Sequence, residues 1–233
     1  MSIFENLQTK NLEAPKDSLG GFSVLESGIY LAKIKAVYIT MSKNNAMAAN
    51  VIADIDGREY REQLWVTNAN GENWYVNKKT GHKVALDGFT QLNDICLCAT
   101  GKELCDMETE PRVFNIYNVE TKSEVPTEVP TIVELTGKEV RLGIMKETVN
   151  KRVKGADGNY VDSNETRDEN HINKVFHAEK RLTVNEARAG KTEPVFYDKW
   201  LDKNEGQTRN RAKTVSSTAS AGAAKKPTRS LFN

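Results

Sequence analysis

The chain has few of the features that mark secreted, disulfide-stapled or membrane proteins. It contains three cysteines among 233 residues, and an odd number does not build a disulfide framework. No apolar run approaches the ~20 residues needed to cross a bilayer, and the first residues lack the basic and apolar blocks of a secretory signal. We therefore expect a cytoplasmic protein with reduced thiols and no membrane partner.

Motifs of the common catalytic and cofactor sites are also missing. The sequence has no glycine-rich phosphate loop ending in Lys-Ser or Lys-Thr, no GxSxG elbow and no HExxH motif. Cys96 and Cys98 are close together, but His171 and His177 are far from them in the sequence. A zinc site would need further ligands at metal-binding spacing. We therefore predict no cofactor, no metal and no enzymatic activity.

One acidic group keeps an enzymatic alternative open. Asp54 and Asp56 alternate at the end of a predicted strand, beside Glu59, which suggests a metal-dependent nuclease. Such nuclease sites usually place a lysine two residues after an acid, and this segment has none. Asp56 is also followed by Gly57, and this pair is typical of a hairpin turn.

Charge is distributed unevenly along the chain. The net charge is +1, and residues 207–233 hold six basic side chains and no acidic one, so residues 1–206 are net acidic. Such a body cannot coat duplex DNA through its overall charge, and any nucleic-acid site must be a local groove. The Ser, Thr, Ala and Gly content of the last residues predicts a flexible basic tail.

Alternating apolar residues predict β strands around one helix. Residues 29–41 alternate strictly and predict a long strand with Lys33 and Lys35 on one face and Ala36 and Tyr38 on the other. Further strands are predicted at 48–55, 59–67, 112–119 and 140–148, and a helix at 88–99.

This order of elements is that of an OB-fold. We predict a mainly β protein, a five-stranded OB-fold-like barrel with one helix between strands 3 and 4, an irregular C-terminal extension and a flexible tail. The domains are then an N-terminal arm at 1–27, the barrel at 28–149, an extension packed on it at 150–205 and a disordered basic tail at 206–233.

Aromatic residues interleaved with basic ones predict a single-strand binding site, which needs flat rings for unstacked bases and cations for phosphates. Trp65 shares a strand face with Arg61 rather than with Leu64 and Val66. Lysines at the middle of a strand cannot enter a core unpaired, so they face water or a polyanion. The predicted binding residues are Lys33, Lys35, Arg61, Trp65, Trp74, Tyr75, Lys78, Lys79, Lys83, Lys151 and Arg152.

Structural explanations compete with this interpretation. Trp65 would be expected to cap one end of the core, and Trp74 to anchor its loop, if neither ring binds a base. Lys151 and Arg152 form a charge run that is also typical of a solvated surface.

Four segments resemble bacteriophage single-stranded DNA-binding proteins of the OB-fold type. They are FSVLESGIYLAKIKAVYI, REQLWVTNANGENWYVNKKTGHK, GFTQLNDICLCATGKEL and LTGKEVRLGIMKE, and the resemblance covers about residues 22 to 200. It implies a protein that coats exposed strands during replication and recombination in the host cell cytoplasm. It also implies contacts with the phage polymerase or helicase through the C-terminal tail.

The tail departs from that family. Many members end in an acidic tail with a terminal aromatic residue, whereas this chain ends in a basic tail with Phe232 near its end. The same fold serves several uses, so a second hypothesis stays open. It is a phage protein-interaction or structural module that docks a host replication or transcription factor.

Overall fold

A computed structural model describes residues 24–118, 120–155 and 158–215. The predicted arm up to residue 23, and the predicted tail from residue 216, lie outside these ranges. The described strands are β1 (Gly28–Met41), β2 (Met47–Ile55), β3 (Arg58–Trp65), β4 (Trp74–Val76), β5 (Lys83–Ala85), β6 (Glu110–Asn118), β7 (Ser123–Thr131), β8 (Glu139–Lys154), β9 (Tyr160–His177) and β10 (Thr208–Asn210). The helices are α1 (Asp87–Thr100), α2 (Val184–Arg188) and α3 (Val195–Asn204), with 3-10 turns at Leu104–Asp106 and Val133–Leu135.

The main sheet is built around β1. Strand β2 pairs with one edge of β1 and with β3, while β8 pairs with the other edge of β1 and with β9, all antiparallel. Strand β10 adds to β8 in parallel, and β4 and β5 form a separate two-stranded sheet. The prediction of a mainly β protein is confirmed. The prediction of a five-stranded barrel is wrong, because the described residues form ten strands in two sheets and no closed barrel.

Two long hairpins account for much of the difference. Strands β6 and β7 pair along their whole length, but only one residue pair, Tyr38 with Thr131, is in register between this hairpin and β1. Strand β9 lies within the predicted irregular extension and pairs with β8 from Val140 to Lys154. Its outer half is almost entirely polar, because a two-stranded ribbon exposes both faces to water. The alternating apolar pattern that would predict a strand is therefore absent there.

The main core lies between the inner faces of β1, β2, β3, β8 and β9 and helix α1. Helix α1 falls where the apolar spacing predicts a helix and buries Leu92, Ile95 and Cys96. Burial raises the pKa of the Cys96 thiol to about 12. Gly88 lies so close to β3 that an added Cβ would come within 2.4 Å of the Trp65 carbonyl oxygen, so the start of α1 is pressed against the end of β3.

A smaller cluster lies on the other side of β8 and β9. Tyr197 and Trp200 of α3 pack there against Met145 and Phe176. The Trp200 indole Nε1 donates a hydrogen bond to Asn173 at 2.8 Å, so α3 is fastened to β9 by both packing and a polar contact. No helix among the described residues is long and apolar enough to cross a membrane.

A β-bulge at Lys35 exchanges the faces of β1. Ile34 pairs with Ala53, but Ala36 pairs with Ile52, so one extra residue is inserted between them. Before the bulge Ile34 points into the core, and after it Val37 does. The prediction of strict alternation along this strand is therefore wrong at Lys35: Tyr38 does not share a face with Ile34, because a strict period of two cannot register an inserted residue.

Side chains, rather than a backbone ladder, join β3 to β9 in the described chain. The Glu62 carboxylate is 9% exposed and lies 3.2 Å from His171 Nδ1. It also accepts hydrogen bonds from the Ile172 amide at 2.8 Å and the Tyr60 hydroxyl at 2.6 Å. The second ring nitrogen of His171 lies 2.8 Å from Glu169. The hydrogen bond to Glu62, followed by that to Glu169, raises the pKa of His171 to about 9, so the ring is protonated at neutral pH.

A second buried carboxylate fixes the end of the described chain. Glu147 of β8 is 4% exposed and pairs with Arg211 at 2.9 Å and with Arg209 at 3.7 Å. A buried carboxylate needs such partners to offset its desolvation. Residues 208–210 therefore form β10 on β8, within the segment that the composition predicts to be a flexible tail.

Stability should depend on pH through His171. The pKa of this ring is about 9 in the folded protein, against an ordinary value of 6.5. The protonated His171 ring stabilises the fold fully below pH 6.5, and this stabilisation is lost as the pH rises through about 9. We expect the free energy of unfolding to fall by about 1–2 kcal/mol over that range, allowing for solvent screening of the partly exposed ring. Urea denaturation at a series of pH values measures it.

The variant His171→Gln supplies the control, because glutamine keeps hydrogen-bonding capacity but cannot be charged. This variant should be less stable at pH 6.5 and should lose most of the pH dependence between 6.5 and 9. An unchanged pH profile in His171→Gln would contradict the assignment.

Candidate nucleic-acid interface

The surface of β1, β2 and β3 that points away from the core, here called the outer face, carries a band of polar and aromatic side chains. The strand register aligns Thr40 with Trp65 across Ala48, and Tyr38 with Gln63 across Asn50. The Gln63 amide donates to Asn50 at 3.2 Å, and the Asn50 amide donates to Thr40 at 2.9 Å. These hydrogen bonds hold the middle of the band in one arrangement.

Trp65 lies on the outer face with its ring open to solvent. The side chain is 47% exposed, whereas Leu64 and Val66 on either side of it are buried. The close contact of Gly88 with the Trp65 backbone fixes the position from which the ring projects. The sequence-based placement of Trp65 on a face with Arg61 and Gln63 agrees with this geometry.

A stacked aromatic pair, which the sequence did not predict as part of a site, lies on the same face. The rings of Tyr38 and Phe114 have centroids 4.6 Å apart and planes 21° from parallel. Phe114 belongs to β6, so this stack brings the base of the β6–β7 hairpin against the outer face. Only the bulge at Lys35 turns Tyr38 outward, and the sequence carries no clear signal of that bulge.

The predicted cations of β1 and β3 lie at the other end of the outer face, among carboxylates. Lys35 is 3.4 Å from Asp54 and 3.7 Å from Glu59, and Arg61 is 2.7 Å from Glu59. The hydrogen bond from Arg61 is the main reason that the pKa of Glu59 is lowered. Lys33 is exposed and forms no ion pair with any described residue. These exposed pairs are weak, so a phosphate could displace either carboxylate.

The same contacts occupy the acidic residues of the nuclease alternative. Asp54 pairs with Lys35 and accepts a hydrogen bond from the Gly57 amide at 3.0 Å, within the β2–β3 turn. Asp56 has a positive φ of 51° and forms part of that turn. Within residues 24–118, 120–155 and 158–215, no three His, Cys, Asp or Glu side chains are grouped to hold a metal ion.

The β4–β5 hairpin carries five of the predicted residues and connects the end of β3, at Trp65, with the start of α1. Lys83 Nζ lies 3.6 Å from the centroid of the half-buried Trp74 ring, a cation–π contact. Tyr75 is exposed, and Lys78 and Lys79 are exposed at the hairpin turn. Neither of these two lysines forms an ion pair within the described part of the chain. Unlike Lys35 and Arg61, they are free to contact phosphates.

The last two predicted residues are placed elsewhere. Lys151 and Arg152 lie on the ribbon formed by β8 and β9, where Lys151 pairs with Glu165 at 3.2 Å and Arg152 lies 3.8 Å from Asp162. Arg152 also donates to the Tyr160 carbonyl at 2.7 Å. No contact between described residues joins this pair to the outer face, so the structure does not bring them together with the other nine.

No protein-family model matches this chain, and no curated protein matches it.

The three tryptophans should differ sharply in solvent access. Trp200 is 3% exposed, Trp74 is half-buried and Trp65 is 47% exposed. In the double variant Trp65→Phe/Trp74→Phe, the remaining emission should shift to shorter wavelength, and the acrylamide quenching constant should fall to a fraction of the wild-type value. Steady-state fluorescence measures both quantities. Quenching as strong as in the wild type would contradict this placement.

Proposed function

We propose that this protein binds single-stranded DNA, with little sequence preference, on the outer face of β1, β2 and β3. Bases would stack on exposed rings, and phosphates would contact lysines and Arg61. The observation that carries the proposal is the half-exposed Trp65 ring, which lies one register row from the hydrogen-bonded amides of Asn50 and Gln63. Those amides share their row with Tyr38, which stacks on Phe114. Such an arrangement suits unpaired bases, because every base has a flat face and polar edges.

The order of the main strands supports this proposal. When the β4–β5 and β6–β7 hairpins are left aside, three antiparallel strands are followed by α1 and then by β8 and β9, with β8 on the free edge of β1. This order resembles that of an OB-fold, with side-chain contacts in place of a ladder between β3 and β9. OB-folds bind oligonucleotides on the face that contains strands 2 and 3, which corresponds here to the face that carries Trp65 and Gln63.

The distribution of charge favours stacking as the main source of affinity. Lys35 and Arg61 share two carboxylates on the face itself, so they add little net positive charge. The free cations are Lys33 and the lysines at the tip of the β4–β5 hairpin. A DNA strand bound on the outer face would therefore contact aromatic rings along the middle of the face and unpaired cations only at its margins. This division suits single-stranded nucleic acid better than duplex, whose bases are not available for stacking.

The biological setting that we propose is phage DNA replication or recombination in the host cytoplasm. It rests on the resemblance of four segments to phage single-strand binding proteins. Contacts with a phage polymerase or helicase through the tail belong to the same proposal.

The β6–β7 hairpin favours a second function, the docking of a host replication or transcription factor. Val113 is 64% exposed and Tyr117 is 60% exposed. The register places them on one side of this hairpin, each opposite a glutamate of β7. An exposed apolar pair on a projecting hairpin suits protein contact. A variant with Val113→Asp and Tyr117→Asp should lose such a partner and keep DNA binding.

Removing the Trp65 ring tests the main proposal. The variant Trp65→Ala should weaken binding to oligo-dT by about 1–3 kcal/mol, which is a roughly 5- to 150-fold rise in Kd. Phe196→Ala is the matched control, because Phe196 is a similarly exposed ring on α3 and its loss should change the Kd by no more than about twofold. Fluorescence anisotropy of a labelled oligonucleotide measures both. No binding by the wild type at low salt would refute the proposed function.

Salt dependence tests the role of the hairpin lysines. With three to six phosphate contacts, affinity for oligo-dT should fall by about 20- to 300-fold between 50 and 200 mM salt. The variant Lys78→Ala/Lys79→Ala should reduce the slope of log K against log salt by about 1.4, which is the share of two phosphate contacts on a single strand. Lys180→Ala, an exposed lysine beyond β9, is the control and should leave the slope unchanged. Equal slopes in the hairpin variant and the wild type would exclude these lysines from the site.

A further inference from the structure

A cavity of about 300 Å³ lies between α2, the start of α3 and Lys174 of β9. Its wall combines an apolar part, with Val195 and Phe196 each 42% exposed, and three lysines, Lys174, Lys191 and Lys199. The residues proposed above to bind DNA do not line it.

Both oxygens of the one carboxylate in the cavity wall accept hydrogen bonds from neighbouring residues. Glu186 is 5% exposed, and its Oε1 accepts the Phe196 amide at 2.7 Å. Its Oε2 accepts the amide and the hydroxyl of Thr183, at 3.1 and 3.2 Å. These contacts tie α2 to the start of α3 and turn the negative charge inward. Glu186 therefore shapes the cavity and leaves its mouth to the lysines.

The three lysines differ in how their charges are placed. Lys174 pairs with Asp94 of α1 at 3.2 Å, so its charge is largely balanced. Lys191 and Lys199 are exposed, and within the described ranges neither lies in an ion pair. Burial acts to raise the pKa of Glu186, but its hydrogen bonds from Thr183 and Phe196, and then the nearby charge of Lys191, lower it. The cavity thus presents two exposed cations beside an exposed ring, an arrangement complementary to a ligand with both carboxylates and an apolar side chain.

The surrounding charge distinguishes a peptide from a nucleic acid. Glu193, Asp198 and Asp202 are exposed on the same segment as Phe196. They would repel a phosphate backbone that ran past the cavity with one charge per nucleotide. A peptide can place one or two carboxylates near Lys191 and Lys199 and none beside these acids.

We propose that this cavity, the α2–α3 pocket, is a docking site for an acidic peptide segment of a partner protein, with an apolar side chain against Phe196 and carboxylates against Lys191 and Lys199. The pocket is formed by elements other than β1, β2 and β3. The proposal therefore goes beyond DNA binding and does not depend on it.

The test uses the full chain and a fluorescein-labelled peptide of sequence Glu-Asp-Leu-Phe-Asp-Glu. Anisotropy titration at low salt should give saturable one-site binding. A peptide with lysine in place of every acid should fail to bind, and so should an acidic peptide with alanine in place of leucine and phenylalanine. Equal binding of the lysine peptide, or no binding of the acidic one, would overturn the proposal.

Variants of exposed residues locate the site without disturbing the core. Lys191→Glu/Lys199→Glu should weaken peptide binding at least about tenfold, because two attractive contacts become repulsive. Phe196→Ala should weaken it about fivefold or more through lost apolar contact. Lys203→Glu is the matched control, an exposed lysine of the same helix that does not line the cavity, and it should leave binding unchanged. Peptide binding that survives the double charge reversal would place it elsewhere and overturn the proposal.

Oligo-dT separates this proposal from the proposed function. Under the docking proposal, Trp65→Ala leaves peptide affinity unchanged, and Phe196→Ala leaves oligo-dT affinity unchanged. If oligo-dT displaces the peptide and Phe196→Ala weakens both ligands equally, the pocket belongs to the nucleic-acid path and the docking proposal is wrong. If the protein binds the peptide and no oligonucleotide, the docking proposal stands and the proposed function fails.

Discussion

Two buried carboxylates tie distant parts of the chain to the sheet: Glu62 joins β3 to β9, which share no backbone ladder, and Glu147 adds ion pairs to the ladder between β8 and β10. Glu62 and Glu147 are 9% and 4% exposed, and removing a carboxylate from water costs several kcal/mol unless it gains equivalent partners. Glu62 gains the Ile172 amide, the Tyr60 hydroxyl and protonated His171. Glu147 gains Arg211 and Arg209. Because the partners come from β9, β10 and the segment beyond, satisfying these two charges brings β3 to β9 and fastens the end of the described chain to β8.

This polar closure has a consequence for the outer face. A backbone ladder between β3 and β9 would fix both strands along their whole length, whereas contacts at Glu62 join them at one level. Farther along β3, Trp65 is fixed by other means, since Gly88 at the start of α1 rests on its backbone. The candidate interface therefore depends on the helix–strand contact at one end and on the carboxylate network towards the middle of β3.

The sequence predicts the strands and the helix that bury one face. It does not predict the elements whose two faces are both exposed to water or that are held by ion pairs. The period-two pattern locates β1 to β3, and the helical spacing locates α1, because each has a clear apolar side. Both faces of the outer half of β9 are exposed to water, so its sequence has no alternating apolar pattern that would distinguish a strand from a loop. Strand β10 is held by ion pairs to Glu147, and ion pairs between distant residues leave no local pattern. The bulge at Lys35 changes the predicted faces of β1, because one inserted residue turns Tyr38 to the outer face, opposite to the core-facing Ile34.

Cation placement separates the two surfaces proposed here for binding. On the outer face, Lys35 and Arg61 are each within 4 Å of a carboxylate, so a ligand must compete with Asp54 and Glu59 for them. In the α2–α3 pocket, the carboxylate is bonded to backbone and hydroxyl groups, and Lys191 and Lys199 stay open. Attraction of an anion is therefore local in the pocket, while on the outer face it depends on Lys33 and the lysines of the β4–β5 hairpin, and the rings would contribute stacking instead. A basic residue count, or the net charge of +1, does not distinguish these surfaces. The two surfaces differ in the partners of their carboxylates: Asp54 and Glu59 pair with the cations of the outer face, whereas Glu186 is bonded mainly to amides and a hydroxyl.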